Sequence, residues 1–97
     1  MQVFAIDDEQ AMLNELHAAI CEAAPDAKIL DFKRAKPALD AIQEGVIPDI
    51  VFSDIELPGI DGITLTTQIK ELAPDAKIIF VTAFSSYAVD AFRMHAD

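Results

Sequence analysis

The stretch Asp49-Ile50-Val51-Phe52-Ser53-Asp54-Ile55-Glu56-Leu57-Pro58-Gly59-Ile60-Asp61-Gly62 decides how the rest of the chain is read. Ile50, Val51 and Phe52 form a short apolar run rich in β-formers, the pattern of a buried strand. The run stops on a carboxylate, Asp54. Pro58-Gly59 then breaks the chain, and Asp61 stands where it can cap a following helix. Open α/β sheets place their chemistry at such a point, outside the carboxyl end of a buried strand. The start of the chain offers a second one: Val3-Phe4-Ala5-Ile6 is apolar and runs into Asp7-Asp8-Glu9. If the two strands are parallel neighbours, their carboxylates meet at one edge of the sheet. Like charges that close repel strongly unless a cation lies among them.

Outward from these strands, hydrophobic periodicity fills in the remaining elements. Residues 2–7 read as the first strand. A helix begins at Asp8 or Glu9, with acidic residues in its first turn as the helix dipole favours. Met12, Leu13, Leu16, Ala19, Ile20 and Ala23 recur along it at helical spacing, and it ends before Pro25. Ala27 to Phe32 is a second strand and Lys33 to Ala35 a loop. Pro37 opens a second helix in the first-turn position that proline tolerates, with Leu39 and Ile42 on its apolar face and Gly45 ending it. The strand at 49–54 follows. A third helix runs from about Gly62 to Leu72, with Ile63, Leu65, Ile69 and Leu72 inward and Pro74 as its stop. Lys77 to Thr82 is a fourth strand. Ser85 or Ser86 caps a last helix, Tyr87 to His95, with Val89, Ala91 and Phe92 as candidates for burial. The order βαβαβαβα predicts a parallel sheet covered by helices on both faces. Ala24-Pro25-Asp26-Ala27-Lys28-Ile29 recurs as Ala73-Pro74-Asp75-Ala76-Lys77-Ile78, each time where a helix gives way to a strand. Proline stops the helix and Asp suits the turn, so the repeat reads as shared turn chemistry and not as a solenoid.

The 97 residues fit one small domain, and 53% hydrophobic residues supply a core. With 17 acidic against 7 basic residues, net charge is −10. That balance argues against direct nucleic-acid contact and for cations or basic surfaces as partners. No apolar run reaches the roughly 20 residues of a membrane span, and Met1 leads straight into the first strand with no signal peptide. The single Cys21 makes no internal disulfide, so a cytoplasmic setting is the default.

Asp7, Asp8 and Asp54 admit two readings from pattern alone. One is helix capping and a solvated strand end. The other is a site for Mg²⁺, whose preferred ligands are hard oxygens from one or two carboxylates, a carbonyl and water. Cys21 reads as a core or boundary residue, His17 and His95 as surface groups, and Met12 and Met94 as packing. Lys33, Arg34 and Lys36 read as a small basic cluster on the loop before the second helix, solvated in the first reading and a partner contact in the lesser one.

The chain resembles the receiver domain of two-component response regulators. The resemblance is carried by Ile6-Asp7-Asp8-Glu9 after the first strand, Asp54-Ile55-Glu56-Leu57-Pro58-Gly59-Ile60-Asp61-Gly62 after the third, and Val81-Thr82-Ala83 after the fourth. The final helix, Tyr87 to Ala96, resembles that of receivers preceding a LytTR-type DNA-binding domain. The resemblance implies a flavodoxin-like, doubly wound parallel sheet. It implies that Asp54 is the phosphoacceptor for a sensor histidine kinase. Mg²⁺ would be held by Asp8, Asp54 and the backbone carbonyl of Glu56, with Asp7 assisting. It gives Thr82 the role of switch hydroxyl, with a small neighbour in Ala83. A complete receiver adds a fifth strand, ending in a Lys-Pro pair that contacts the phosphoryl group, and a fifth helix. The sequence read here supplies four strands and four helices, which sets the expectation of a C-terminally truncated receiver spanning 1–97. In that form phosphorylation is impaired, because Lys77 lies at the opposite end of its strand and Lys70 within a helix. The fourth strand would be left as an edge prone to self-association, through itself or the last helix. An output DNA-binding domain is expected in the parent protein.

Two other functions compete. An aspartyl-nucleophile phosphatase of the haloacid dehalogenase kind wants a second Asp two residues after the nucleophile, where this chain has Glu56. A non-phosphorylated interaction module would keep the fold alone, with no need of Asp7, Asp8, Asp54 and Thr82 together.

Overall fold

The computed structural model of the chain describes residues 1–54 and 57–81. Within them run β1 (Gln2–Ile6), α1 (Gln10–Ala23), β2 (Lys28–Phe32), α2 (Ala35–Gln43), β3 (Ile50–Asp54), α3 (Gly62–Leu72) and β4 (Lys77–Val81). The four strands form one parallel sheet in the order β2-β1-β3-β4. The chain leaves β1 toward one side for β2, then crosses back over β1 to reach β3. That reversal creates a crevice between the carboxyl ends of β1 and β3. The expected last helix, residues 87–95, lies outside the described residues.

Alternation along the strands divides the core into two layers. Phe4, Ile6 and Val51 face α2 and α3, where they meet Ala38, Ile42, Leu65 and Ile69. Val3, Ala5, Ile50, Phe52 and Val81 face α1 and meet Leu13, Leu16 and Ile20. Burying a phenylalanine as fully as Phe4 or Phe52 stabilises the fold by about 1.5–3 kcal/mol. Both central strands are covered on each face, which is why they read as continuous apolar runs. Ser53 is the polar exception: it is fully buried, and its hydroxyl donates to the Asp54 carbonyl at 3.0 Å.

Helix ends show where local chemistry overrides simple periodicity. The first helix starts at Gln10, not at Asp8 or Glu9, and its first turn holds no acidic residue. The reason lies in Asp7, whose Oδ1 accepts the Glu9 N–H at 3.0 Å and turns the chain out of β1 before the helix begins. The second helix begins at Ala35, inside the expected loop, so Lys36 is helical and pairs with Asp40 at 3.6 Å. Pro37 remains in the first turn, where its missing N–H costs nothing. Gly45, at φ 102°, ends this helix, with Gly45 N–H donating to Ile42 and Val46 N–H to Ala41. This is the paired-bond terminus that favours glycine. Asp61 caps α3 as expected, accepting the Thr64 N–H at 2.8 Å.

Three burial expectations need correction. Ile63 is 83% exposed, and Leu72 is exposed as well. At 100° per residue Ile63 lies roughly 160° around the helix from Leu65, so the two cannot share a face. Leu72 occupies the last residue of α3, and the adjacent Ala73 is buried instead. Cys21 is exposed, one step around α1 from the buried Ile20. His17 is at the surface, yet not alone, since its Nδ1 lies 2.8 Å from Asp31 Oδ1 on β2.

The repeated hexapeptide folds twice into the same shape. Ala24 takes φ −141°, ψ 79° and Ala73 takes φ −139°, ψ 78°. Each donates its N–H back into the helix, to Ile20 and Ile69, and each accepts from the alanine three residues on. Lys70 adds bonds to the Pro74 and Ala76 carbonyls. No helix among the described residues is long and apolar enough to cross a membrane.

Candidate functional site

Asp7 follows directly on β1, and its N–H continues the sheet by donating to the Phe32 carbonyl at 3.0 Å. Asp54 ends β3, in register with Val81 of β4. Because Ile6 pairs with Ser53, the residues after each stand side by side at the crevice. Asp8 adds a third carboxylate from the chain's outward turn. Asp7, Asp8 and Asp54 each bring one carboxylate oxygen to within 4.8 Å of the others. The structure thus assembles the three acidic residues that sequence reasoning had paired across two strands. Thr82, Ala83 and the Glu56 carbonyl, also expected here, lie outside the described residues.

The three carboxylates differ in exposure, being buried at Asp7, half-buried at Asp54 and exposed at Asp8. Burial pushes the Asp7 carboxyl above the usual carboxylate range; the Glu9 N–H pulls it back, and negative Asp54, Asp8 and Glu9 push it up again. Such a group is under electrostatic stress until something positive joins it. The donors are all hard oxygens, clustered on one open side of the sheet, and this set suits Mg²⁺. An ordinary capping site would show a carboxylate committed to a helix N-terminus, as at Asp61. There the Thr64 N–H and hydroxyl hold the carboxyl below its usual range.

The loop after β3 is shaped by Pro58-Gly59. Leu57 and Ile60 form a bridge across it, and Gly59 takes φ 81°. A type II turn demands that sign of φ at its third position, and proline suits the second. Beyond the turn lies a hollow of about 480 Å³, lined by Asp8, Lys33, Arg34, Pro58 and Gly59. From sequence Lys33 and Arg34 read as chiefly solvated, with a partner contact as the lesser alternative. The missed signal was their position: they follow β2, the parallel neighbour of β1, so they emerge at the same sheet end as Asp8.

A parallel sheet with a carboxylate triad at its switch point defines an α/β domain with an acidic site. The chain belongs to the response regulator receiver domain family, whose model matches residues 3–97. Its relatives include an uncharacterised response regulatory protein of Yersinia pestis, 36% identical over 99% of this chain and 40% of that protein. The transcriptional regulatory protein LytR of Staphylococcus aureus is 34% identical over 99% of this chain and 39% of the relative. The chain therefore spans about two fifths of the length of the curated relatives it matches. A receiver domain from Clostridium thermocellum shares the fold, with TM-score 0.74 at 16% identity, over 98% of this chain and 95% of that one. So does the isolated receiver of RcsB from Salmonella enterica serovar Typhimurium, solved in the presence of phosphomimetic BeF3⁻ (TM-score 0.73, 22% identity, 93% and 72% covered).

Proposed function

We propose that residues 1–97 form one receiver domain that accepts a phosphoryl group on Asp54 from the phosphohistidine of a sensor histidine kinase, in a cytoplasmic setting. The observation that carries this reading is the convergence of Asp7, Asp8 and Asp54 within 4.8 Å at the crevice between β1 and β3. An Asp54 carboxylate oxygen attacks phosphorus in line. The new O–P bond forms as the P–N bond breaks, and the electron pair leaves on the imidazole nitrogen. The domain assists this transfer and the later hydrolysis without turning over as an enzyme.

Asp8 and Asp54, with the Glu56 carbonyl, would hold Mg²⁺, and buried Asp7 would support it. When bound, the ion supplies the positive charge that lets carboxylate and phosphoryl oxygens approach. Asp7 meanwhile fixes the turn that carries Asp8, through its bond to the Glu9 N–H. Thr82 is the switch hydroxyl in this reading, and the register of Val81 with Asp54 supports its placement. Thr82 would donate to a phosphoryl oxygen and so report phosphorylation to an output DNA-binding domain.

Self-association is part of the same proposal. Among the described residues β4 is a sheet edge, and its Ile78, Ile79 and Phe80 are half-buried. Apolar edges pair readily with a second copy. The edge of β4, or the last helix beyond it, would form that contact, and light scattering across a dilution series checks it. For phosphoacceptance, incubation with phosphoramidate and Mg²⁺ followed by intact mass measurement should add no more than one phosphoryl group per chain, at a slow rate in the 97-residue form. Multiple turnover without a stable adduct would point to a phosphatase, and no adduct at all to an inert module.

A further inference from the structure

Lys33 and Arg34 end the β2–α2 connection beside the carboxylate cluster. Both are exposed, and both line the hollow that Asp8 shares with Pro58 and Gly59. Neither forms an ion pair with any described residue. The other cations nearby or in the same layer are engaged: Lys36 pairs with Asp40, and Lys70 bonds turn carbonyls at the far end of the sheet. In a chain of net charge −10, two unpaired cations at the rim of its acidic cluster stand out. Arg34 is also the N-cap residue of α2 and makes no side-chain cap bond, so the positive end of that helix borders the same hollow.

A phosphodonor arrives carrying negative charge, and the three carboxylates repel it. A neutralising cation within the cluster offsets part of that repulsion, but the approach path still needs a positive wall. Guanidinium and ammonium groups are the side chains suited to phosphoryl oxygens, one through a planar fork and the other as a compact charge. Asp8 lines the hollow and also brings a carboxylate oxygen within 4.8 Å of Asp54, so the hollow adjoins the acidic cluster.

We propose that Lys33 and Arg34 are positioning residues that receive the phosphoryl anion of the donor in this hollow and direct it to Asp54. This rests on the receiver reading above. The two act on charge before the chemical step, not on bond making.

The test uses the full chain with Lys33→Gln and Arg34→Gln combined, and Lys36→Gln as a matched charge removal outside the hollow. Both targeted residues are exposed, so the variant should melt like the wild type. Trifluoroberyllate affinity in the presence of Mg²⁺ should fall about tenfold in the double variant, along with the phosphoramidate labelling rate. Salt should weaken both less in the double variant than in the wild type, or strengthen them, because repulsion is then what it screens. Mg²⁺ affinity should stay level or rise, because removing cations deepens the negative field. Lys36→Gln should change none of these, and Lys33→Arg with Arg34→Lys should restore them. Unchanged trifluoroberyllate affinity and labelling in the double variant would overturn the proposal, as would an equal loss in Lys36→Gln or a parallel loss of Mg²⁺ binding. Failure of the wild type itself to label on Asp54 would instead refute the receiver reading, and this inference with it.

Discussion

At the amino end of the sheet, Asp49 ties three strands together. Its N–H donates to the Gln2 carbonyl at 2.8 Å, its own carbonyl accepts from Lys77 at 2.9 Å, and its carboxylate accepts the Gln2 N–H at 2.8 Å. Lys28 N–H closes the remaining strand pair onto the Met1 carbonyl. At the carboxyl end, Asp7, Asp8 and Asp54 each bring a carboxylate oxygen within 4.8 Å of the others, and burial raises the Asp7 carboxyl above its usual range. Asp49 at one end is thus spent on a backbone donor, while at the other, three carboxylates are gathered close together, with Asp7 holding a backbone donor as well. The same residue type stabilises in the first setting and stores repulsion in the second. A cation placed among the three carboxylates would relieve that stored repulsion.

Asp54→Asn should separate the two ends most sharply. Labelling by phosphoramidate should vanish, while thermal stability should hold or rise because a negative charge has left the cluster. Loss of stability without loss of labelling would place Asp54 among the structural residues. Asp8→Asn comes next: Mg²⁺ affinity, followed by amide shifts, should weaken by at least about tenfold, in the range seen when metal-site partners are removed. An unchanged titration would show that the cluster is not the metal site.

Asp49→Ala should act in the opposite sense. It removes only the carboxylate bond to Gln2, so denaturant unfolding should report a loss of about 0.5–1.5 kcal/mol. Mg²⁺ titration should be unaffected, and a shift there would mean that the two ends communicate. The smallest effect concerns pH. Asp7 has a folded-state pKa above its unfolded one, so the folded chain holds that proton longer. As pH rises through this window the unfolded state binds fewer protons than the folded, and metal-free stability should decline. It should level off above the raised value. Asp7→Asn should flatten that decline; a slope unchanged by the substitution would assign it to other groups.

Much of this contrast was legible before any coordinates. Ile50-Val51-Phe52 and Val3-Phe4-Ala5-Ile6 are apolar at every position because both central strands are covered on both faces. Their terminal carboxylates follow from the same stretches. What sequence could not supply was the third dimension of local competition. Asp7 takes the Glu9 N–H and delays α1, a choice invisible to helix periodicity. Ile63 belongs to an apolar set by composition but not by angle, so a count of hydrophobic residues misplaced it. Lys33 and Arg34 looked like a solvated loop because, with Lys36, they make a short basic run between a strand and a helix. Their relevant neighbours, Asp8 and the Pro58-Gly59 turn, come from two other loops.

The twin turns at Ala24 and Ala73 carry a consequence for how such a domain can be altered. Each closes on its own backbone bonds, with the same torsions, whether it feeds the outer strand β2 or the apolar strand β4. It behaves as a standard connector, a portable part whose shape travels with its six residues. Helix-to-strand returns can then be exchanged or reused like common hardware, with no redesign of what they join. The loops at the other end share no such part. Asp7 to Glu9, Lys33 with Arg34, and Leu57 to Ile60 are each built differently, so variation there rewrites the message while the frame stays the same.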